Sequence, residues 1–319
     1  MTNRALKYPA ERLKPTVLAD GSSYYSIVAS GRTLGGLTAF QPKRKRQYAF
    51  LLGTQPAGYF NARHLIPGTS GDTMIIKENE PVDLETPTGP MRTYVFGPVA
   101  QGRYPGILLY SEIFQVTDPI RRTAALLAGN GFVVAVPEIY HELEPIGTAL
   151  PYDQAGGARG NSHKTTKAMA GHDSDARAAL DYLQAYAGCT GKLGVMGICT
   201  GGHLAFRAAM HKEVLAGACF YATDIHKQSE MGGTKDDTLE RTGDIQCEML
   251  MIWGRQDPHV PREARALVYN AMSDAELYFQ WHEFNAAHAF IRDEGPRYDP
   301  AAAQICYTLA LELFKRKLG

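Results

Sequence analysis

The sequence has no excess of either charge, no paired-cysteine motif and no long apolar run, and each absence removes a class of function. Thirty-three Lys and Arg residues balance thirty-three Asp and Glu, so the chain as a whole presents no positive field for nucleic acid or for an anionic membrane surface. The five cysteines, Cys189, Cys199, Cys219, Cys247 and Cys306, are odd in number and scattered. Without a C-x-x-C pair they suggest neither a zinc site nor a dithiol redox centre, and they fit a reducing compartment. No stretch approaches the roughly 18 apolar residues of a membrane span, and the polar opening Met1-Thr-Asn-Arg4 lacks the apolar core of a signal peptide. The expectation is a cytoplasmic protein whose partner is a small molecule rather than nucleic acid or membrane, with self-association left open. Internal repeats and low-complexity tracts are also missing.

What the chain does have is length and apolar content: 319 residues at 45% hydrophobic suffice for one large core. Its charge is unevenly spread, with ten basic against three acidic residues before Met74. This stretch is also rich in Gly, Ser, Pro and Tyr, and no helical periodicity is visible in it. Residues 1–73 are therefore expected to form a basic extension, in which Lys43-Arg44-Lys45-Arg46 reads as a solvated turn. Residues 74–319 are expected to form the main domain.

From Met74 onward short apolar runs alternate with helical periodicity, the pattern of βαβ units around a parallel sheet. A hairpin is expected over Pro81–Glu85 and Met91–Phe96, turning at Thr86-Pro-Thr-Gly-Pro90. Strands follow at Gly106–Tyr110, Phe132–Val136, Leu193–Ile198, Leu215–Tyr221, Met249–Trp253 and Leu277–Glu283, apolar enough to be covered on both faces. Helices are expected at Asp118–Ala128, Asp173–Ala187, Thr200–His211, Arg262–Met272 and Pro300–Lys317. Two segments, Glu138–Ala170 and Ala222–Asp244, are too long and polar for ordinary connections. Both follow strand C-terminal ends, where open parallel sheets bind ligands, so they read as pocket walls or lids.

The segment Gly197-Ile-Cys199-Thr-Gly201-Gly202 lies between an apolar strand and an apolar-periodic helix, and has the form of a nucleophile elbow with cysteine as the nucleophile. A strand turning sharply into a helix brings two backbones together, so the residues two before and two after the nucleophile must be small. The helix starting at Thr200 then turns its positive end toward the sulfur and favours thiolate. An acid and a histidine follow in the order this architecture requires. Asp257 sits in Gly254-Arg-Gln-Asp257-Pro-His-Val260-Pro261 after one strand, and His288 in a loop after the next. His203, His259 and His282 read as structural or as supporting the site from behind, whereas Asp224 and His226 are candidate wall residues. The loop after Gly106–Tyr110 is the expected source of one oxyanion amide, Ile113, with Thr200 supplying the other. Glu112 is expected to project near the sulfur and to govern when the thiolate exists, the alternative being a helix-capping or salt-bridged carboxylate.

Together, Glu112-Ile-Phe114, the G-x-C-x-G-G elbow, G-x-Q-D-x-x-V-P and His288-Ala-Phe290-Ile-Arg292 resemble the dienelactone hydrolase family from Met74 to the C-terminus. The resemblance implies an α/β-hydrolase fold, with a mostly parallel sheet and helices on both faces. It also implies a cofactor-free, metal-free hydrolase opening a carboxylated enol-lactone through a Cys199, Asp257 and His288 triad and a thioester. It maps the family's elbow-contacting glutamate onto Glu112 and its carboxylate-binding arginine onto Arg292. Departures from the family pattern are Ala289 in place of a serine and Phe220 in place of a sheet tyrosine. A second arginine has no counterpart, and Arg159, Lys164 and Lys167 are candidate substitutes. Two alternatives stand beside this reading: an esterase or thioesterase for a different small substrate, and a redox-sensing thiol protein without catalysis.

Overall fold

The computed structural model describes residues 16–17, 23–24 and 75–319, apart from 228–230 and 234–235. The chain forms two compact units, Met1–Asn61 and Ala62–Gly319. In the first unit β1 (Thr16–Val17) and β2 (Ser23–Tyr24) pair antiparallel. The rest of the expected extension over 1–73, its Lys43–Arg46 run included, lies outside the described residues.

The second unit is built on one eight-stranded sheet. Its strands are β3 (Ile76–Thr86), β4 (Gly89–Pro98), β5 (Tyr104–Tyr110), β6 (Val133–Pro137), β7 (Cys189–Ile198), β8 (Val214–Phe220), β9 (Glu248–Gly254) and β10 (Phe279–Phe284). Their spatial order is β10-β9-β8-β7-β5-β6-β4-β3. The β3/β4 hairpin and the β4/β6 pair are antiparallel, and every other pairing is parallel. Parallel strands need crossover helices, and the helices cover both faces as expected. The helices are α1 (Asp118–Gly129), α2 (Gln154–Thr166), α3 (Met169–Ala185), α4 (Thr200–Ala208), α5 (Arg262–Asp274) and α6 (Pro300–Leu318). Among the described residues no helix is long and apolar enough to cross a membrane.

The alternation of side chains along each strand yields two cores, one per sheet face. On β7, Leu193 and Val195 join Leu180 and Leu183 of α3, while Met196 and Ile198 join Phe314 and Cys306 of α6. Cys219 and Cys306 are fully buried packing residues, as their apolar contexts suggest. The strand expected over Leu277–Glu283 starts two residues later, and its residues are mostly half-buried rather than covered on both faces, because β10 is the sheet's edge.

One helix falls inside a segment expected to be loop. α2 carries Gly156, Gly157 and Gly160 and has almost no apolar stripe, which hides it from a periodicity argument. Its start is nevertheless marked by Asp153, whose side chain accepts a hydrogen bond from the Gly156 amide at 2.8 Å as an N-cap.

Helix α6 combines a deep anchor with a capped end, and the two should differ in energetic weight. Phe314 is wholly buried against Phe132, whereas Asp299 caps the helix through the Ala302 amide at 3.0 Å. Phe314→Ala is expected to cost about 3–5 kcal/mol in urea unfolding, and Asp299→Ala about 1 kcal/mol.

Candidate active site

Three loops at the C-terminal ends of β7, β9 and β10 converge on one point. Cys199 holds the strand-to-helix turn with φ 62° and ψ −122°, a conformation L-residues avoid. Two glycines make the turn sterically feasible. A Cβ at Gly197 would lie 1.8 Å from the Gly201 carbonyl oxygen, and one at Gly201 would lie 2.4 Å from that of Ser111, at the end of β5. Gly201 thus lets the elbow helix rest directly on the neighbouring strand end, a closer requirement than the local turn alone imposes.

The acid and histidine loops are fastened to each other through their backbones. The Arg255 and Gln256 amides donate to the carbonyls of Phe284 and Ala286 at 2.8 and 3.0 Å. A Cβ at Gly254 would meet the Ala286 carbonyl oxygen at 2.5 Å, so this approach requires glycine. His288 Nδ1 then lies 2.7 Å from Asp257 Oδ2, and His288 Nε2 lies 3.2 Å from Cys199 Sγ. Asp257 Oδ1 accepts the His259 amide at 2.8 Å, which fixes the carboxylate's second oxygen. A charged Asp257 only accepts, so Nδ1 carries a proton toward it.

Electrostatics follow from this packing. Burial would lower the His288 pKa, but the Cys199 sulfur and the Asp257 hydrogen bond outweigh it and push the imidazole up to about 10. Burial works against ionising Asp257 too, yet its hydrogen bond and charge contact with His288 hold it below the usual carboxylate range. His259, whose ring stands 4.7 Å from that of His288, is driven down by burial and by the neighbouring positive ring.

The sulfur, though Cys199 is only 8% exposed, opens on a cavity of about 320 Å³. Its walls include Glu112, Ile113 and Phe114 from the β5 loop, Thr223, Asp224 and Lys227 from the β8 loop, and Arg292 and Arg297 beyond His288. The fourth wall is α2, which presents Gly157, Asn161 and Lys164 at helical spacing. A Cβ at Gly160 would fall 2.5 Å from the Ile113 carbonyl oxygen, so this helix also braces the expected oxyanion loop. Ile113 borders the cavity, and Thr200 begins α4 immediately after Cys199. Non-glycine residues with positive φ gather at the same sheet edge: Gln115, Cys199, Tyr221, Asp224 and Ala289. Such residues each cost on the order of 1–3 kcal/mol, and they concentrate where function constrains the chain.

Several expected roles change once side chains are placed. Glu112 is engaged by Tyr152 and Arg292: its Oε2 accepts from the Tyr152 hydroxyl at 3.2 Å and lies 3.6 Å from Arg292 Nη1. Arg292 stacks over the Tyr152 ring at 4.1 Å and donates through Nε to the Glu294 carbonyl at 3.0 Å, while Asp293 and the Glu294 carboxylate pair with Arg122. Arg159 is not a cavity residue; its guanidinium pairs with the buried Glu144 at 2.5 Å. Phe220 is fully buried and packs on Tyr307, since the last position of β8 points into the sheet's α6 face. The aromatic beside the imidazole is instead Tyr221, with its ring 4.9 Å from that of His288. His226 is half-buried and falls outside the cavity wall, although its neighbours Asp224 and Lys227 line it. Lys167 is buried between Glu142 and Asp175. Lys164 reaches the cavity but is tied to Asp224 at 2.7 Å. Sequence reasoning does not find Arg297, an exposed wall residue that makes no ion pair among the described residues. The Gly-Pro-Arg stretch containing it has no chemical pattern of its own.

Comparison with known proteins identifies the family. The sequence model of the dienelactone hydrolase family matches residues 91–318. A Saccharomyces cerevisiae protein that carries a carboxymethylenebutenolidase name is 41% identical over 250 residues, covering 74% of this chain and 90% of its own. The carboxymethylenebutenolidase of Pseudomonas sp. strain P51 is 30% identical over 219 residues, 68% of this chain and 87% of its own. Among solved structures, a Klebsiella pneumoniae chain bearing a dienelactone hydrolase name superposes with a TM-score of 0.65 at 21% identity, covering 76% of this chain and 98% of that one. The chain belongs to the dienelactone hydrolase family and is a hydrolase with the α/β-hydrolase fold.

Proposed function

We propose that the protein opens a small carboxylated lactone or ester, of the enol-lactone kind, through a covalent thioester on Cys199. The observation that carries this reading is the unbroken contact from Asp257 through His288 to a sulfur facing a cavity with Arg292 and Arg297 in its wall. The relatives' carboxymethylenebutenolidase names support the same substrate class.

In the first half-reaction the Cys199 thiolate attacks the carbonyl carbon, and the Ile113 and Thr200 amides receive the developing oxyanion. The carbon–oxygen bond of the ester then breaks. The departing enolate oxygen takes the His288 proton, which leaves the imidazole neutral. In the second half-reaction neutral His288 removes a proton from water, whose hydroxide attacks the thioester. The acid is released and the Cys199–His288 ion pair is restored. Asp257 keeps Nδ1 protonated and the ring aligned throughout. The bond changes need only these groups and water.

Arg292 would bind the substrate carboxylate bidentately. Because Glu112 shares that guanidinium, an arriving carboxylate competes with it, freeing Glu112 to turn toward the sulfur. Arg297 adds charge at the cavity mouth, and its long-range attraction is screened by salt.

Cys199→Ala is expected to lower kcat/KM for a lactone or activated ester by about 10³-fold or more. A variant retaining most of its turnover rules out thioester chemistry, and inactivation of the wild type by iodoacetamide gives an independent reading. Arg292→Ala should raise KM for a carboxylated ester by roughly tenfold to a hundredfold, the ~1.5–3 kcal/mol of a hydrogen bond to a charged group. A matched uncharged ester should be nearly unaffected, and equal losses on both would favour an esterase for neutral substrates. Arg297→Ala should weaken the carboxylated ester less, and mainly at low salt.

The His288 shift also sets a pH window. Its folded-state value of about 10 exceeds the ordinary 6.5, so the imidazolium's stabilisation is fully present below pH 6.5, declines above it and is lost through pH 10. Urea unfolding from pH 6 to 11 should show that decline in the wild type and a flatter profile in His288→Gln.

A further inference from the structure

Helix α4 carries three polar or reactive side chains at four-residue intervals: Cys199 at its cap, then His203 and Arg207 on the next two turns. His203 is fully buried and Arg207 nearly so. Both face the chain that leaves β8, whose near end at Thr223 forms part of the cavity wall. His203 Nδ1 lies 3.1 Å from the Thr223 carbonyl oxygen, and Nε2 lies 2.8 Å from Thr238 Oγ1 and 3.1 Å from Asp236 Oδ2. Arg207 Nη1 donates to the same Thr238 Oγ1 at 3.0 Å and to Asp237 at 2.6 Å.

Counting protons assigns the charge of this imidazole. The Thr223 carbonyl can only accept, so Nδ1 must donate. Thr238 has one hydroxyl proton, and it goes to Asp236 Oδ1 at 2.5 Å. Toward His203 the hydroxyl therefore accepts, and Nε2 must donate as well. A ring donating from both nitrogens is an imidazolium. The groups facing it agree: Asp236 and Asp224 are acidic, Arg207 is already neutralised by Asp173 and Asp237, and His172 from α3 is held neutral by burial. Thr223 in turn donates its amide to the Cys199 carbonyl at 3.2 Å, which closes a circuit from the elbow through the wall and back to the elbow helix.

We propose that His203 is a positioning residue, a buried imidazolium that ties the cavity wall at Thr223, and the buried Thr238 behind it, to the elbow helix and so fixes the shape of the substrate cavity beside Cys199. It touches neither the sulfur nor the triad. Its effect belongs to substrate fit and not to nucleophile reactivity. Only the kinetic part of this inference rests on the hydrolase reading above.

The test uses the full chain. Nitrogen-15 NMR of histidine-labelled protein at pH 7.5, assigned against His203→Gln, should show both His203 ring nitrogens protonated, and a neutral tautomer there overturns the proposal. In His203→Gln, amide exchange at residues 223–227 should accelerate tenfold or more. KM for a carboxylated ester should rise at least fivefold, while kcat and the iodoacetamide rate at Cys199 stay within twofold. Unchanged exchange, or a loss confined to kcat, overturns it as well. Should that variant not fold, Thr238→Val reads the same exchange and the same KM shift. A protein with protonated His203 and the expected exchange response, yet inactive on every carboxylated ester tried, would leave the positioning role standing and remove the proposed substrate reading instead.

Discussion

The contact between Cys199 Sγ and His288 Nε2, 3.2 Å long, is the point on which the rest of the molecule converges. It joins residues 89 positions apart in the chain, so neither local propensity nor turn chemistry can produce it. It exists because three strand ends are brought together at one sheet edge and because glycines at 197, 201 and 254 remove the Cβ atoms that would hold those backbones apart. The strain at Cys199 is tolerated for the same reason: the elbow is held by β5 on one side and by the Phe220 carbonyl, which accepts the Cys199 amide at 3.0 Å, on the other.

Around that contact the charges are arranged in layers. Closest to the sulfur, the imidazole and Asp257 form a buried chain in which each group's ionised form is supported by the next. Farther out, Arg292 is matched by Glu112 and Lys164 by Asp224, so these cations are held in place without standing as naked charges in a buried wall. Arg297 at the mouth has no such partner among the described residues. This gradient, neutralised inside and positive at the entrance, is what the proposed carboxylated substrate would meet. The Glu142–Lys167–Asp175 cluster is not part of this wall, and its buried ammonium already supplies a cation to both carboxylates.

Much of this is legible in the order of residues. The apolar runs locate the strands to within a few residues, because a strand buried on both faces has no polar positions to blur it. The elbow, acid and histidine motifs are legible for a different reason: each occupies a strand-end turn whose steric needs leave few residue types. α2 is invisible to pattern because a helix that packs through glycines has no apolar stripe to reveal it. Phe220 and Tyr221 trade places because one position along a strand end changes which face a side chain meets, and the last strand residue cannot be fixed from pattern alone. Arg159 and Arg297 are equally ambiguous, since a single basic residue in a polar segment has no periodicity.

The sequence by itself determined the sheet's composition, the two-face burial and the identity of the proposed nucleophile, acid and base, because strand burial and tight turns are short-range constraints written in neighbouring residues. Only the tertiary structure decided which charges share a wall, that Glu112 faces Arg292 and Tyr152, that α2 braces Ile113, and that His203 is doubly hydrogen-bonded beneath the elbow. Those arrangements depend on side chains from segments far apart in the chain. Their partners are chosen by distance and proton count after the sheet has formed, and no local pattern records that choice.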